Sequence, residues 1–144
     1  MSPNPAVLIN WAAFNQTRAE LGSDFVRILG YFREDGMKSV DAIEAAMRAK
    51  SAASLVRPAH TLKGESQQFG AEPLGYLAEL IEMTARRCVE LQETPDELIP
   101  EVVKLRPLFE ETLQLFDREI NPLVQRRPAA QAGFGRRAVF GRAG

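Results

Sequence analysis

Cysteine and histidine are almost missing from this chain: its 144 residues include one of each, Cys88 and His60. A single cysteine excludes an internal disulfide framework. One histidine and one cysteine do not make the ligand set of a metal site, so no metal or other cofactor is expected. Long apolar runs are missing too. None approaches the roughly 20 residues that span a bilayer, and no basic segment followed by an apolar stretch opens the chain. The expected location is therefore the reducing cytoplasm, with no membrane association. No glycine-rich nucleotide loop is found, so no kinase activity of its own is expected. Strand-type alternation is missing throughout, which leaves helices.

An apolar fraction of 45% is that of a globular chain, and the length suits one domain with one core. Charge is unevenly placed. Residues 1–125 carry 13 Lys and Arg against all 19 Asp and Glu, a net of −6. Arg126, Arg127, Arg136, Arg137 and Arg142 follow with no acid. An acidic body argues against nucleic-acid binding by the main domain. After Asn121 the composition turns to Pro, Ala, Gly and Arg. The expected organisation is a helical domain over 1–121 and a flexible basic tail over 122–144.

Five helical segments are legible. Asn10 caps a short first helix carrying Trp11, Phe14 and Leu21, which Gly22 ends. Ser23 is placed to cap a second, with Phe25, Leu29, Phe32, Val40, Ile43 and Met47 at helical spacing and Gly36 as a point of bending or division. A third runs over about 54–69 with Pro58 near its first turn, and Gly70 stops it. Pro73 opens the fourth, whose buried face is drawn as Leu74, Leu77, Ile81, Thr84, Cys88 and Leu91. Thr94-Pro95-Asp96-Glu97 reads as the cap and first turn of a fifth, with Pro107 as a kink. Cys88 falls on an apolar face, as a buried thiol does. Amphipathic helices of this length joined by short connections predict an all-α antiparallel four-helix bundle, with an additional N-terminal helix packed across it.

His60 does not share the apolar face of its helix. At about 100° per residue, Leu55, Leu62 and Phe69 lie roughly opposite it. Val56, Lys63, Gly64 and Gln67 fall within about 60° of it. This strip suits phosphoryl transfer. A neutral imidazole nitrogen is a good nucleophile near neutral pH. A lysine one turn away balances charge on phosphoryl oxygens. Gln67 offers an amide donor to a phosphate oxygen. Gly64 is the telling residue, because a mid-helix glycine costs about 1 kcal/mol relative to alanine. Its use lies in leaving the approach to His60 open.

The stretch Ala59-His60-Thr61-Leu62-Lys63-Gly64-Glu65-Ser66-Gln67-Gln68-Phe69-Gly70-Ala71 resembles the signature of histidine-containing phosphotransfer (HPt) domains, roughly His-x-Leu-Lys-Gly, five variable positions and Gly. With the helical order, the resemblance covers about residues 10–121. It implies that His60 is the phosphorylated residue, that Lys63 contacts the phosphoryl group and that Gly64 gives access. It also implies that a polar residue on the next helix holds the other imidazole nitrogen; by spacing this is Glu82. The partners implied are response-regulator receiver domains and a hybrid histidine kinase, with the protein as a monomeric phosphorelay intermediate in two-component signalling. Two positions depart from the pattern. Glu65 stands where the family often has a small residue, and Pro58 lies two residues before the histidine. Two other readings share the scaffold: a helical adaptor that is never phosphorylated, and a fragment of a histidine-kinase dimerisation region.

Overall fold

The computed structural model describes residues 7–121, so the tail expected at 122–144 lies outside the described residues. The described residues are all-α. They form α1 (Trp11–Leu21), α2 (Phe25–Arg48), α3 (Ala52–Gln68), α4 (Glu72–Leu91) and α5 (Ile99–Ile120), with 3-10 turns at Gly22–Asp24 and Asp96–Leu98. The chain divides into two compact units, Met1–Thr112 and Leu113–Gly144, with the boundary inside α5. The described part of the second unit is the C-terminal end of that helix, where Leu113 and Phe116 are buried.

In the first unit, α2, α3, α4 and the opening turns of α5 form the antiparallel bundle. Arg106 of α5 reaches Asp41 and Glu44 of α2, and three residues later Phe109 meets Phe32, with ring centroids 5.9 Å apart. Moving forward along α5 thus means moving backward along α2. The same reversal relates α3 and α4, where Lys63 faces Glu82 and Ser66 faces Gly75. The apolar stripes converge as their spacing requires. Phe32 and Ile43 of α2, Leu55 and Leu62 of α3, Leu74, Ile81 and Cys88 of α4, and Leu105 and Phe109 of α5 are all 2% exposed or less. Burying each large side chain is worth about 1.5–3 kcal/mol. Small residues mark the α3–α4 seam. Ala59 and Ser66 on α3 and Gly75, Ala78 and Ala85 on α4 are buried, which lets the two backbones approach.

α1 lies over the turn between α3 and α4. The Asn10 N–H donates to the Gly70 carbonyl at 2.7 Å, and the Thr17 hydroxyl donates to the Gln68 carbonyl at 2.6 Å. Phe14 packs edge-on to Phe25, which in turn meets Phe69. Asn10 caps α1 as its side chain suggested, accepting from the Ala13 N–H. Gly22 and Gly70 both stand at positive φ, 57° and 78°, where a side chain would be strained.

Several boundaries differ from the sequence reading. α3 starts at Ala52 rather than about 54; Ser51 caps it, its hydroxyl accepting the Ser54 N–H at 3.2 Å. Pro58 is therefore well inside the helix rather than in its first turn. Ser23 and Thr94 cap nothing, because each of those segments first forms a 3-10 turn. Pro107 lies inside α5 without dividing it; its missing N–H leaves the Val103 carbonyl without its usual helical donor. Leu91 is exposed rather than on the buried face. Gly36 does not divide α2, which runs unbroken from Phe25 to Arg48, and it makes room for a ring. A Cβ there would meet Phe109 at 2.5 Å.

Two glycines of α2 should therefore respond in opposite directions to alanine. Gly36→Ala pushes against a fully buried ring and should destabilise by roughly 1–3 kcal/mol. Gly30→Ala enters open space and should stabilise by up to about 1 kcal/mol. Denaturant midpoints of the two variants check both signs.

Candidate functional site

His60 lies at the middle of α3, and its side chain is 60% exposed. The bundle accounts for this. Leu55, Leu62 and Phe69 turn inward, so a residue on the opposite side of the same helix must turn out. Its ring is nevertheless held. The Nδ1 nitrogen lies 3.0 Å from Oε2 of Glu82, which reaches across from α4. That carboxylate is 3% exposed, and it is the buried centre of the site.

Three groups converge on Glu82. His60 Nδ1 and both Nε and Nη2 of Arg86 take Oε2, the arginine atoms at 3.0 and 2.9 Å. Lys63 Nζ lies 3.0 Å from Oε1. Burial by itself pushes this carboxyl up. The ion pair with Lys63 and the hydrogen bonds from Arg86 and His60 outweigh it and hold the group down at about 2. Glu82 is therefore ionised at any physiological pH. An ionised carboxylate accepts and cannot donate, so Nδ1 must carry the hydrogen and Nε2 is left bare toward solvent whenever the ring is neutral.

The rest of the predicted strip falls into place by degrees. Gly64 is exposed, and a Cβ built there meets nothing within 4 Å. Val56 is half-buried one turn before His60 and, with Arg86, Val89 and Glu90, lines a shallow groove beside the site. Lys63 is close to the imidazole, but its ammonium is engaged by Glu82. Gln67 is exposed on the same side two turns on, about 10 Å along the axis. Its stem packs over Gly75, 3.3 Å from where a Cβ would stand. The structure thus brings His60, Lys63 and Glu82 into one cluster, with Gly64 open beside it and Gln67 apart. Arg86 belongs to the cluster and was missed. Its signal was present, since glutamate four residues before arginine on one helix is a favourable pair. Among the described residues no group of three or more His, Cys, Asp or Glu is placed to hold a metal ion, and no helix is long and apolar enough to cross a membrane.

Comparison with known proteins agrees with this geometry. A family model of the Hpt domain matches residues 27–119. Among solved structures, the chain is similar to histidine-containing phosphotransfer protein B (HptB) from Pseudomonas aeruginosa PAO1. The two are 27% identical with a TM-score of 0.56, and the match covers 76% of this chain and 96% of that one. No curated protein matches.

The Glu82 cluster should leave a mark on acid stability. Its carboxyl is depressed in the folded state, so its contribution is present above the ordinary carboxylate range and is lost as pH falls toward about 2. Glu82→Gln should cost roughly 1–3 kcal/mol at pH 7. The gap between variant and parent should narrow below about pH 4.5 and close near pH 2. Urea midpoints measured across that range check the sign.

Proposed function

This chain belongs to the Hpt domain family, and from that premise we propose that it is a phosphorelay intermediate whose phosphoacceptor is His60. A phosphotransfer role in two-component signalling is what the family match and the likeness to HptB support. The observation that carries the residue assignment is the exposed imidazole held by the buried Glu82 carboxylate.

The chemistry follows from the tautomer. Nε2 of His60 attacks the phosphorus of a receiver's aspartyl phosphate. The N–P bond forms as the P–O bond to the aspartate breaks, and the aspartate leaves as a carboxylate. Nδ1 keeps its hydrogen, so the phosphorylated ring carries positive charge, which the anionic Glu82 at 3.0 Å stabilises. Onward transfer runs the same step in reverse to a second receiver's aspartate. The doubly substituted ring then departs as neutral imidazole, a good leaving group. Lys63 and Arg86 keep Glu82 ionised through both states and leave the site with one excess positive charge to meet the phosphoryl oxygens. Gly64 leaves the in-line approach clear. Gln67, two turns on, is placed to touch the docked receiver rather than the ring. The sequence carries no glycine-rich nucleotide loop, and on this reading the phosphoryl group comes from a receiver domain, itself charged by a hybrid histidine kinase. The acidic body carries the relay chemistry as a monomer in the cytoplasm.

A labelled, phosphorylated receiver domain should pass its label to this protein, and ATP alone should not. His60→Gln should abolish labelling while the melting temperature stays within a few degrees of the parent, because the side chain faces solvent. Gly64→Gln should fold at least as stably as the parent yet slow transfer at least tenfold by obstructing the approach. Labelling that survives His60→Gln, or self-labelling from ATP, contradicts the assignment.

A further inference from the structure

The two cations at the site are not equivalent, because Glu82 offers them different oxygens. Oε1 is closed off from solvent and accepts no hydrogen bond, and its ion-pair partner is Lys63 Nζ at 3.0 Å. Oε2 is crowded instead. His60 Nδ1, Arg86 Nε and Arg86 Nη2 lie 3.0, 3.0 and 2.9 Å from it. A carboxylate oxygen has two lone pairs, so three donors compete for them. Lys63 cannot leave without stranding a buried charged oxygen, which is costly. Arg86 can loosen its hold without that penalty, because the imidazole stays on Oε2.

Exposure draws the same distinction. The Lys63 side chain is 21% exposed and that of Arg86 54%. Arg86 also lines the shallow groove beside the site, with Val56, Val89 and Glu90. Its guanidinium is a planar fork with five N–H donors. Nε and Nη2 engage one edge on Glu82, and Nη1 makes no hydrogen bond among the described residues. The end edge, Nη1 with the second hydrogen of Nη2, is therefore free. Such an edge matches two phosphoryl oxygens at once, whereas an ammonium meets them as a point charge. Phosphorylation widens the difference. Once Nε2 carries phosphate the ring is cationic, and its Nδ1–H becomes a stronger donor to Oε2.

We propose that Arg86, rather than Lys63, is the phosphoryl-binding cation of the site: it keeps Nε on Glu82 and presents its Nη edge to the phosphoryl oxygens at His60. This departs from the role that the family resemblance implies for Lys63. It rests on His60 as the phosphoacceptor and adds no bond-making step to the transfer. Lys63 is then a positioning residue, which holds Oε1 and so keeps Glu82 in place. Arg86 is a catalytic residue, since it meets the negative charge spread over the phosphoryl oxygens as the group passes between aspartate and imidazole.

The experiment is a double-mutant cycle on transfer from a labelled, phosphorylated receiver domain to the full chain, with the receiver concentration varied. The proteins are the parent, Arg86→Gln, Glu82→Gln and the double variant. A group that acts only by keeping Glu82 ionised has no task once position 82 is an amide, whereas a group that binds the phosphoryl oxygens keeps its task. Arg86→Gln should therefore lower the maximal transfer rate roughly tenfold or more in both backgrounds, with half-saturation by the receiver unchanged. Lys63→Gln, measured the same way, should lose its effect beside Glu82→Gln. An Arg86 effect that disappears beside Glu82→Gln, or that shows only in half-saturation, overturns the assignment. Should the Glu82 variants fail to fold, NMR of the parent decides: phosphorylation should slow exchange of the Arg86 Nη hydrogens with water, and unchanged exchange overturns the proposal. A parent that takes no label overturns the functional reading and this assignment together. A labelled parent whose rate Arg86→Gln matches overturns the assignment alone.

Discussion

One carboxylate, buried at the seam of two helices, sets the state of the whole site. Glu82 would be too costly to keep ionised at its depth without partners, since an isolated buried charge either takes a proton or moves to water. Lys63 from α3 and Arg86 from its own helix supply the counter-charge, and His60 supplies a third donor. The imidazole gains a fixed orientation and a fixed tautomer in return. Neither would be available to an exposed side chain left to itself, because a ring that is mostly in water rotates freely and exchanges its hydrogen between nitrogens. On the proposed function, the interaction turns an ordinary surface histidine into a nucleophile whose Nε2 points outward.

The fold serves that interaction through spacing. Small residues on the facing sides of α3 and α4 bring the backbones close enough for a glutamate to span the gap and end under the imidazole. The large apolar side chains on the other side of α3 fix its rotation, and with it the direction in which His60 points. α1 secures the far end of the same helix pair through Gly70 and Gln68. Core packing, the seam of small residues and the charge cluster are thus successive steps in placing one nitrogen.

Much of this was legible in the sequence because it rests on periodicity. The placement of His60 opposite Leu55, Leu62 and Phe69 follows from 100° per residue and needs no knowledge of what the helix packs against. Glu82 was reachable only through the resemblance, since nothing local to α4 marks it as buried. Arg86 was not found: its spacing from Glu82 was legible, but its role depends on the burial of that carboxylate, which is set by which faces of two helices meet. Helix starts were read less well than helix faces. Ser51 and Ser54 are equivalent cap candidates by residue type, and the competition is settled by which hydroxyl accepts an N–H. Pro107 does not interrupt α5, which is continuous from Ile99 to Ile120. Gly36 was read as a weakness of α2 when its purpose is to admit Phe109 from another helix.

The central claim is that Glu82 fixes the hydrogen on Nδ1 and leaves Nε2 free to react. Long-range nitrogen–proton NMR correlation on the only histidine reports this directly, at a pH where the ring is neutral. The account predicts an Nδ1–H tautomer in the unphosphorylated protein and phosphate on Nε2 after transfer, with the tautomer preference lost in Glu82→Ala. A ring that carries its hydrogen on Nε2, or phosphate found on Nδ1, would contradict it.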